Sequence, residues 1–183
     1  MGKLIAAMNM TLDGYCDHTS MPADDEIHEH FNELLRSAGT LIYGRITYQL
    51  MESYWPTVVE NPAGNKSQDD FAVLIDNIPK IVYSRTLSKV LWKNSTLKNE
   101  ILKEEILELK QQVGKDILVG SPGLIVAFTQ LGLIDEYQLG LHPVIVGNGL
   151  TLFQNIKDRI DLKLTRTKVF GCGAIMLYYK SSE

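Results

Sequence analysis

The chain has 183 residues, of which 45% are hydrophobic, enough to bury one sizeable core, so we expect one domain over residues 1–183. A formal charge of -4 argues against a nucleic-acid-binding protein, which normally collects phosphates on a basic face. Polar residues break the first apolar run well before about 20 residues, the length of a membrane span. Cys16 and Cys172 form no paired motif, which favours reduced thiols in a cytoplasmic protein without membrane association.

Strands and helices alternate along the first two-thirds of the chain. Short apolar runs bounded by turn residues predict strands over Leu4–Met8, Thr40–Tyr43, Lys80–Tyr83 and Asp116–Val119. The spacing of apolar residues predicts helices from Asp24 to Leu35, from Arg45 to Met51, and over Asp69–Ile75, Glu100–Val113 and Ser121–Leu131. We expect Gly39 to end the first helix, Gly114 to end the fourth, and Pro56 to Ser67 to form a surface loop.

The last third of the chain has a different pattern. Strand-forming residues run over Glu136–Val146, Asp161–Phe170 and Ala174–Tyr179, and the segment 171–173 joins the last two runs as in a hairpin. Alternating strands and helices produce a parallel sheet, whereas a hairpin adds antiparallel strands to its edge. The predicted fold class is therefore three-layer α/β, with a mainly parallel central sheet, an antiparallel C-terminal hairpin at the edge and helices on both faces.

An anion-binding turn is predicted where the strand Asp116–Val119 meets the next helix. Gly120 ends the strand, Ser121 is suited to cap the helix, and Pro122 fits the first helical position. Free N–H groups at a helix N-terminus bind anions, so a pyrophosphate can dock at this turn. The same residues also suit an ordinary capped turn from strand to helix, and that alternative stays open.

Two arginines follow the ends of other predicted strands. Arg45 comes directly after Gly44, and Arg85 lies between Ser84 and Thr86. A guanidinium can pair with a phosphate through two parallel hydrogen bonds, although a single arginine is more often a solvated surface charge. Ligands of open α/β sheets collect outside the carboxyl ends of the strands. Three such strand ends therefore predict a groove for a dinucleotide.

Five segments, in order along nearly the whole chain, carry a family resemblance. They are LDG near the N-terminus, YGRITY, VYSRT, ILVGSPGLI and LIDEYQLGLHPVIVGNGLTLF. In this combination the chain resembles the reductase domain of bacterial riboflavin biosynthesis and its stand-alone relatives in the dihydrofolate-reductase-like superfamily. The resemblance implies a dihydrofolate-reductase-like fold, a homodimer, and an NADPH-dependent reductase whose nicotinamide lies across the sheet beside the first strand.

The resemblance also assigns residues to the cofactor. Gly120 matches the first glycine of the family's Gly-Gly pair for pyrophosphate, but the second glycine is Ser121 here, which narrows the room for close approach. The residues expected to bind NADPH are Arg45 and Thr47 in the family's cofactor-phosphate turn, Ser84 and Arg85 at its site for the adenosine 2′-phosphate, and Ala7, Gly44, Gly120, Ser121, Gly123 and Leu124.

On the substrate side, the resemblance singles out Asp13 in the TLDG turn, where riboflavin-type reductases have an acid. Asp13 is therefore the predicted catalytic group, orienting or protonating the substrate, although an aspartate before glycine is equally well a turn residue. The resemblance also assigns the loop of Gly147 and Gly149 to the substrate or cofactor side. Trp55 can wall the substrate pocket by stacking, or it can simply pack in the protein.

The identity of the substrate depends on the first helix. Dihydrofolate reductases bind the pterin ring with a carboxylate there, but that place falls to Ile27 or His28 here, with Glu26 next to it. The expected activity is reduction of a small heterocyclic or ribosylaminopyrimidine-like substrate, as by a 5-amino-6-(5-phosphoribosylamino)uracil reductase. Two alternatives stay open: a dihydrofolate reductase with an atypical pocket, and a non-catalytic, nucleotide-binding dimeric scaffold. His28 and His30 point to different faces of the helix, so no metal is expected.

Overall fold

A computed structural model describes residues 1–16, 18–21 and 24–182. The strands, numbered in chain order, are β1 (Leu4–Thr11), β2 (Ala38–Gly44), β3 (Lys80–Tyr83), β4 (Ser95–Lys98), β5 (Asp116–Val119), β6 (Glu136–His142), β7 (Leu162–Val169) and β8 (Ile175–Ser181). The helices are α1 (Asp25–Ser37), α2 (Arg45–Glu60), α3 (Lys66–Asn77), α4 (Lys103–Val113) and α5 (Pro122–Gln130). Among these described residues, no helix is both long and apolar enough to cross a membrane.

The strands form one eight-stranded sheet in the order β4-β3-β2-β5-β1-β6-β8-β7. The pairs from β4 to β6 are parallel, whereas β8 pairs antiparallel with both β6 and β7. The hairpin predicted at the sheet edge is present, and Gly173 has the left-handed backbone that its turn requires, with φ of 88°. The predicted fold class, α/β with an antiparallel C-terminal edge, is confirmed.

Each face of the sheet carries its own hydrophobic core. Side chains alternate along β1, so Leu4 and Ala6 face the core that contains residues of α4 and α5. Ile5 faces the opposite core, which contains residues of α1, α2 and α3, and half-buried Ala7 packs against it. Helices therefore cover both faces, and β1 lies between β5 and β6 near the centre of the sheet.

The predicted ends of α1 and α2 were wrong. Gly39 does not end α1, because the chain turns to extended backbone already at Ala38 and Gly39 lies within β2. The segment from Pro56 was expected to be a loop, but α2 continues through this proline to Glu60. A proline has a helical φ, but inside a helix it lacks the N–H donor and its ring clashes with the carbonyl four residues earlier. The burial of Val58 in the turn that follows favours continuing the helix.

The strand predictions also needed correction. β1 extends beyond Met8 to Thr11 because its ladder with β6 continues to the pair Thr11 and His142. β6 ends at His142 rather than Val146, and the next residue is a proline, which has no N–H for the ladder. β4 was not predicted at all. Its four residues have no apolar alternation, and pairing with β3 defines it as a strand.

Candidate functional site

Four neighbouring strands end along one edge of the sheet. β3, β2, β5 and β1 are consecutive and parallel, so their carboxyl ends meet there. We call this the carboxyl edge. It brings together the predicted cofactor turns that follow β2, β3 and β5, and the Asp13 turn that follows β1.

A buried hydroxyl links the turns that follow β5 and β2. Ser121 is only 4% exposed, and its Oγ accepts a hydrogen bond from the Gly44 amide at 2.9 Å. Ser121 does not cap α5 with its side chain, contrary to the sequence prediction, because the hydroxyl faces β2 instead of the helix. The serine at the second position of the glycine pair thus holds two turns of the site together.

The first turn of α5 remains open to an anion. Pro122 occupies the first helical position, as predicted, and the amides of Gly123 and Leu124 have no acceptor within the described chain. A Cβ atom on Gly120 would lie 3.7 Å from the carbonyl oxygen of Ala7, an ordinary contact. Packing within the protein therefore does not require glycine at position 120, whereas a ligand lying close to the backbone would.

The turn from β2 into α2 carries an arginine without an acidic partner. No side chain caps α2. Arg45 is exposed, and its guanidinium donates a hydrogen bond to the Gln49 side chain at 3.3 Å but forms no ion pair within the part of the chain that the structure describes. Thr47 is half-buried two residues further on. The guanidinium of Arg45 is available to an external phosphate.

The turn after β3 is closed by a serine hydroxyl. Ser84 is buried, and its Oγ accepts hydrogen bonds from the amides of Thr86, at 3.2 Å, and Leu87, at 3.0 Å. This tight turn projects Arg85 into solvent, where it forms no ion pair with a described residue. Arg85 is therefore a second free guanidinium on the carboxyl edge.

Asp13 anchors the loop that follows β6. Its carboxylate accepts hydrogen bonds from the Thr11 hydroxyl at 2.6 Å and from the amides of Gly147 at 2.8 Å and Val146 at 3.2 Å. The Thr11 hydrogen bond, together with these amides, lowers the pKa of Asp13 below its usual range. The carboxyl group is therefore ionised at neutral pH, which suits orientation of a substrate better than donation of a proton. A catalytic role for Asp13 stays a prediction.

The loop of Gly147 and Gly149 lies beside the turn of Asp13. Both glycines are exposed and have left-handed backbones, with φ of 80° and 140°. A Cβ atom on Gly149 would approach the Tyr15 ring to 3.4 Å, and Tyr15 pairs with Thr151 in an isolated bridge. The predicted substrate-side loop is thus held against the end of β1.

Four apolar residues on the side of β1 that faces α1 and α2 remain partly accessible to solvent. Ala7, Phe31, Met51 and Trp55 pack against the core on this side, yet all four are only half-buried. We call them the α1–α2 cleft. The Trp55 ring lies 4.5 Å from the Phe71 ring, so it packs within the protein and also presents surface to the cleft. Both roles weighed for Trp55 from the sequence are compatible with this position.

The position that the resemblance assigns to a pterin-binding carboxylate holds no acid, and the neighbouring Glu26 is engaged elsewhere. Ile27 is buried against Phe170 and other residues of the hairpin, and the half-buried His28 ring contacts Phe71. The carboxylate of Glu26 accepts a hydrogen bond from the Gly171 amide at 2.7 Å, which directs it toward the hairpin. No group of three or more metal-ligating side chains occurs among residues 1–16, 18–21 and 24–182.

Two residues that the sequence analysis passed over lie next to the cleft. Asn9 on β1 pairs in register with Gly140 on β6. A methyl group on Gly140 would overlap the side-chain oxygen of Asn9. The signal was a glycine inside a predicted strand, which often marks a close approach of another group.

Comparison with known proteins agrees with this architecture. A family model described as the RibD C-terminal domain matches residues 2–176. The chain is 34% identical to the protein YyaP of Bacillus subtilis over 181 residues, covering 97% of this chain and 94% of that one.

Solved structures with low sequence identity share the fold. A putative riboflavin biosynthesis protein from Shewanella sp. PV-4 aligns with a TM-score of 0.77 at 19% identity, covering 99% of both chains. Dihydrofolate reductase from Enterococcus faecalis, complexed with NADP(H), aligns with a TM-score of 0.63 at 16% identity over 100% of this chain and 98% of that one.

A third structure is a longer, two-function protein from Thermotoga maritima, a diaminohydroxyphosphoribosylaminopyrimidine deaminase and 5-amino-6-(5-phosphoribosylamino)uracil reductase. It aligns with a TM-score of 0.66 at 15% identity over 99% of this chain and 57% of that one. The family match over nearly the whole sequence, on a fold shared with known reductases, gives the conclusion that this chain belongs to the RibD C-terminal domain family.

Proposed function

We propose that this chain is an NADPH-dependent reductase that acts in the cytoplasm on a small heterocyclic or ribosylaminopyrimidine-like substrate. The observation that carries the proposal is the carboxyl edge, where the turns after three consecutive strands, β3, β2 and β5, supply two guanidiniums without acidic partners among the described residues and an open helix N-terminus. Guanidiniums and helix N-termini are the groups that proteins use for phosphates. The two guanidiniums and the helix N-terminus are three phosphate-binding positions, and a dinucleotide with an additional phosphate has phosphate groups for all three.

The roles of the individual residues follow from this arrangement. Arg85 and Ser84 at the end of β3 would hold the 2′-phosphate, and the turn of Gly44, Arg45 and Thr47 would hold a second phosphate. The open turn at the start of α5 would hold the pyrophosphate, through Gly120, Ser121, Gly123 and Leu124. Ala7 would lie beside the nicotinamide, because it is half-buried on the central strand next to Gly120. NADPH supplies the hydride when it is bound, and the protein contributes position and a shielded pocket.

We place the substrate in the α1–α2 cleft, between Trp55 and the loop of Gly147 and Gly149. The proposed substrate class is that of the Thermotoga maritima protein's reductase activity, a pyrimidine ring with a phosphoribosylamino group. Ionised Asp13 would orient this substrate directly or through water. The buried Ile27 on α1 argues against dihydrofolate as the substrate, since nothing there replaces the carboxylate that binds a pterin ring.

A homodimer is part of the proposal. On the face of the hairpin opposite α1, three apolar side chains share one surface: Leu164 and Val169 on β7 and Ile175 on β8. Val169 pairs with Ile175 across the hairpin and is 68% exposed. Neighbouring apolar side chains exposed in this way often mark a surface that binds another protein. A second copy of the chain, placed with the same face inward, would cover this surface symmetrically.

The cofactor proposal is tested by fluorescence titration of the full chain with NADPH and with NADH. We expect NADPH to bind at least tenfold more tightly than NADH, since one phosphate with charge-assisted hydrogen bonds contributes roughly 1.5–3 kcal/mol. Equal affinity for the two coenzymes would reject the proposal.

The reaction is tested by following the oxidation of NADPH at 340 nm with 5-amino-6-(5-phosphoribosylamino)uracil and with dihydrofolate.

The pattern of turnover separates the remaining alternatives. Reduction of the uracil compound supports the proposed reaction, and reduction of dihydrofolate alone supports an atypical dihydrofolate reductase. NADPH binding without turnover supports a non-catalytic scaffold.

Asp13→Asn should lower kcat without weakening NADPH binding if Asp13 orients the substrate. An unchanged kcat would show that Asp13 only anchors the loop that follows β6.

A further inference from the structure

A polar side chain, Asn9, lies on the face of the sheet that α1 and α2 border. Asn9 is on the central strand β1, two residues beyond Ala7 and on the same face. This face is the one that α1 and α2 border, so Asn9 extends the α1–α2 cleft toward the carboxyl edge. Although its strand is central in the sheet, Asn9 is only half-buried.

The two ends of the Asn9 amide have different surroundings. The side-chain oxygen is fully buried above Gly140 and has no hydrogen-bond donor within the described chain. The nitrogen makes no hydrogen bond to a described residue either, but it is not among the fully buried atoms. The amide nitrogen is therefore free to donate a hydrogen bond to a bound ligand.

The unpartnered oxygen of Asn9 lowers the stability of the fold, and the neighbouring strand β6 provides the space for it. Buried polar atoms in proteins nearly always have a partner, so an unpartnered amide oxygen calls for an explanation. Gly140 provides the room, because any side chain there would displace the Asn9 amide. Gln138, the next polar residue of β6 on this face, is buried and donates to Glu136, so it offers no donor to the cleft.

We propose that Asn9 is a specificity-determining residue that donates a hydrogen bond from Nδ2 to a ring carbonyl oxygen of the substrate. The inference rests on the proposed function, since it takes the substrate to be a planar ring with a carbonyl beside a ring N–H. Such a ring would lie over Ala7, where a small residue leaves space, with its carbonyl at Asn9. A ligand without a ring carbonyl would gain nothing from Asn9.

The test measures binding by calorimetry to the full chain, with and without NADP⁺. The probes are 5-amino-6-(5-phosphoribosylamino)uracil and ribose 5-phosphate, which has the phosphoribosyl part but no pyrimidine ring. The variants are Asn9→Ala and, as a matched control, Asn77→Ala, an exposed asparagine that ends α3. Thermal midpoints are recorded for each protein.

We expect Asn9→Ala to weaken binding of the uracil compound about tenfold, the usual size of one net hydrogen bond. Binding of ribose 5-phosphate and NADP⁺ should not change, and the thermal midpoint should stay equal or rise, because an unpartnered buried oxygen has been removed. A purely structural role would instead lower the midpoint and weaken both probes alike. That result, or unchanged binding of the uracil compound, would overturn the inference, as would a wild-type chain that does not bind this compound.

Gly140→Ala provides an independent variant, because it displaces the Asn9 amide without removing it. It should produce the same selective loss, and the double variant should lose no more than either single one. The inference and the proposed function fail separately. An unchanged preference for NADPH together with no effect at Asn9 rejects only the inference. A ring-dependent effect at Asn9 without NADPH binding rejects only the reductase.

Discussion

Arg85 forms no ion pair with a described residue, and its side chain is exposed. By contrast, Arg159 pairs with Asp161 at 2.7 Å, and Arg36 pairs with Glu29 at the same distance. A surface guanidinium without a carboxylate gains little for the fold, since exposed ion pairs themselves contribute only about 0–1 kcal/mol. The guanidinium of Arg85 therefore contributes more to binding a ligand than to stabilising the fold.

Arg85→Ala should therefore weaken NADPH binding about 10- to 100-fold and leave NADH binding nearly unchanged, because charge-assisted hydrogen bonds contribute roughly 1.5–3 kcal/mol. The measurement is a fluorescence titration with both coenzymes at low ionic strength. Arg159→Ala removes an equal charge elsewhere on the surface and should affect neither coenzyme. Equal losses for NADPH and NADH would remove Arg85 from the 2′-phosphate site.

His30 couples the stability of the fold to pH. Its ring is 7% exposed among the aromatic rings of Phe31, Phe170 and Tyr178. Burial, with smaller contributions from the nearby cations Lys168 and Arg166 and an opposing one from Glu33, lowers the pKa of His30 to about 4. The folded chain therefore keeps this histidine neutral where the unfolded chain protonates it.

The sign of the effect follows from proton uptake. Between pH 6.5 and about 4 the unfolded state binds a proton at His30 that the folded state does not, so stability falls as pH falls. The loss at His30 should reach about 2–3 kcal/mol at pH 4. His30→Phe should flatten this part of the curve in urea unfolding measured from pH 7 to 4. His18→Gln, at an exposed histidine, should leave the slope as it is, and a slope unchanged in His30→Phe would contradict the assignment.

At the scale of elements, the turns after β2 and β5 act as one unit. The Ser121 hydroxyl accepts from the Gly44 amide, so the starts of α2 and α5 are held together by a side chain and not only by the ladder between β2 and β5. This link places the two proposed phosphate positions at a constant separation. Such preorganisation lowers the entropy cost of binding a rigid anion.

Ser121→Ala should destabilise the fold by about 1–2 kcal/mol, because the Gly44 amide loses its acceptor in a partly buried position. It should also weaken NADPH binding several-fold. Urea unfolding and the NADPH titration measure the two effects. Ser53→Ala, which removes an exposed hydroxyl bonded to its own helix, should stay within about 0.5 kcal/mol of the wild type. A Ser121→Ala variant as stable as the wild type would show that the link is unimportant.

The elements also show where sequence patterns succeed and fail. β3 and β5 begin and end at the residues predicted, because short apolar runs closed by turn residues define a buried strand locally. β4 and the second half of α2 were missed. Their structure depends on partners distant in sequence: β4 on the edge of β3, and α2 on contacts that outweigh Pro56. Local propensity carries no information about such partners.

At the scale of the whole molecule, the proposed homodimer forms through the apolar surface of the hairpin. Val169→Asp would place a charge in the centre of a dimer interface and should convert the protein to a monomer. Light scattering after gel filtration measures the mass. Leu91→Asp changes an equally exposed apolar residue outside the hairpin and should leave the dimer intact. A wild-type chain with the mass of one copy would reject the dimer.

The sequence by itself determined the fold class, the family and the order of the three phosphate-type turns. These properties depend on local features, namely apolar runs, helix starts and glycine turns, and each can be recognised within about ten residues. The turns also share an edge because parallel strands point their carboxyl ends the same way.

Only the tertiary structure decided what individual polar side chains do. Ser121 binds a neighbouring turn instead of capping its helix, Asp13 anchors a loop 133 residues away, and the Asn9 amide lies over Gly140. Each of these contacts joins residues far apart in the chain. A hydrogen-bonding group takes whichever partner the packed fold brings within reach, and no local pattern specifies that partner.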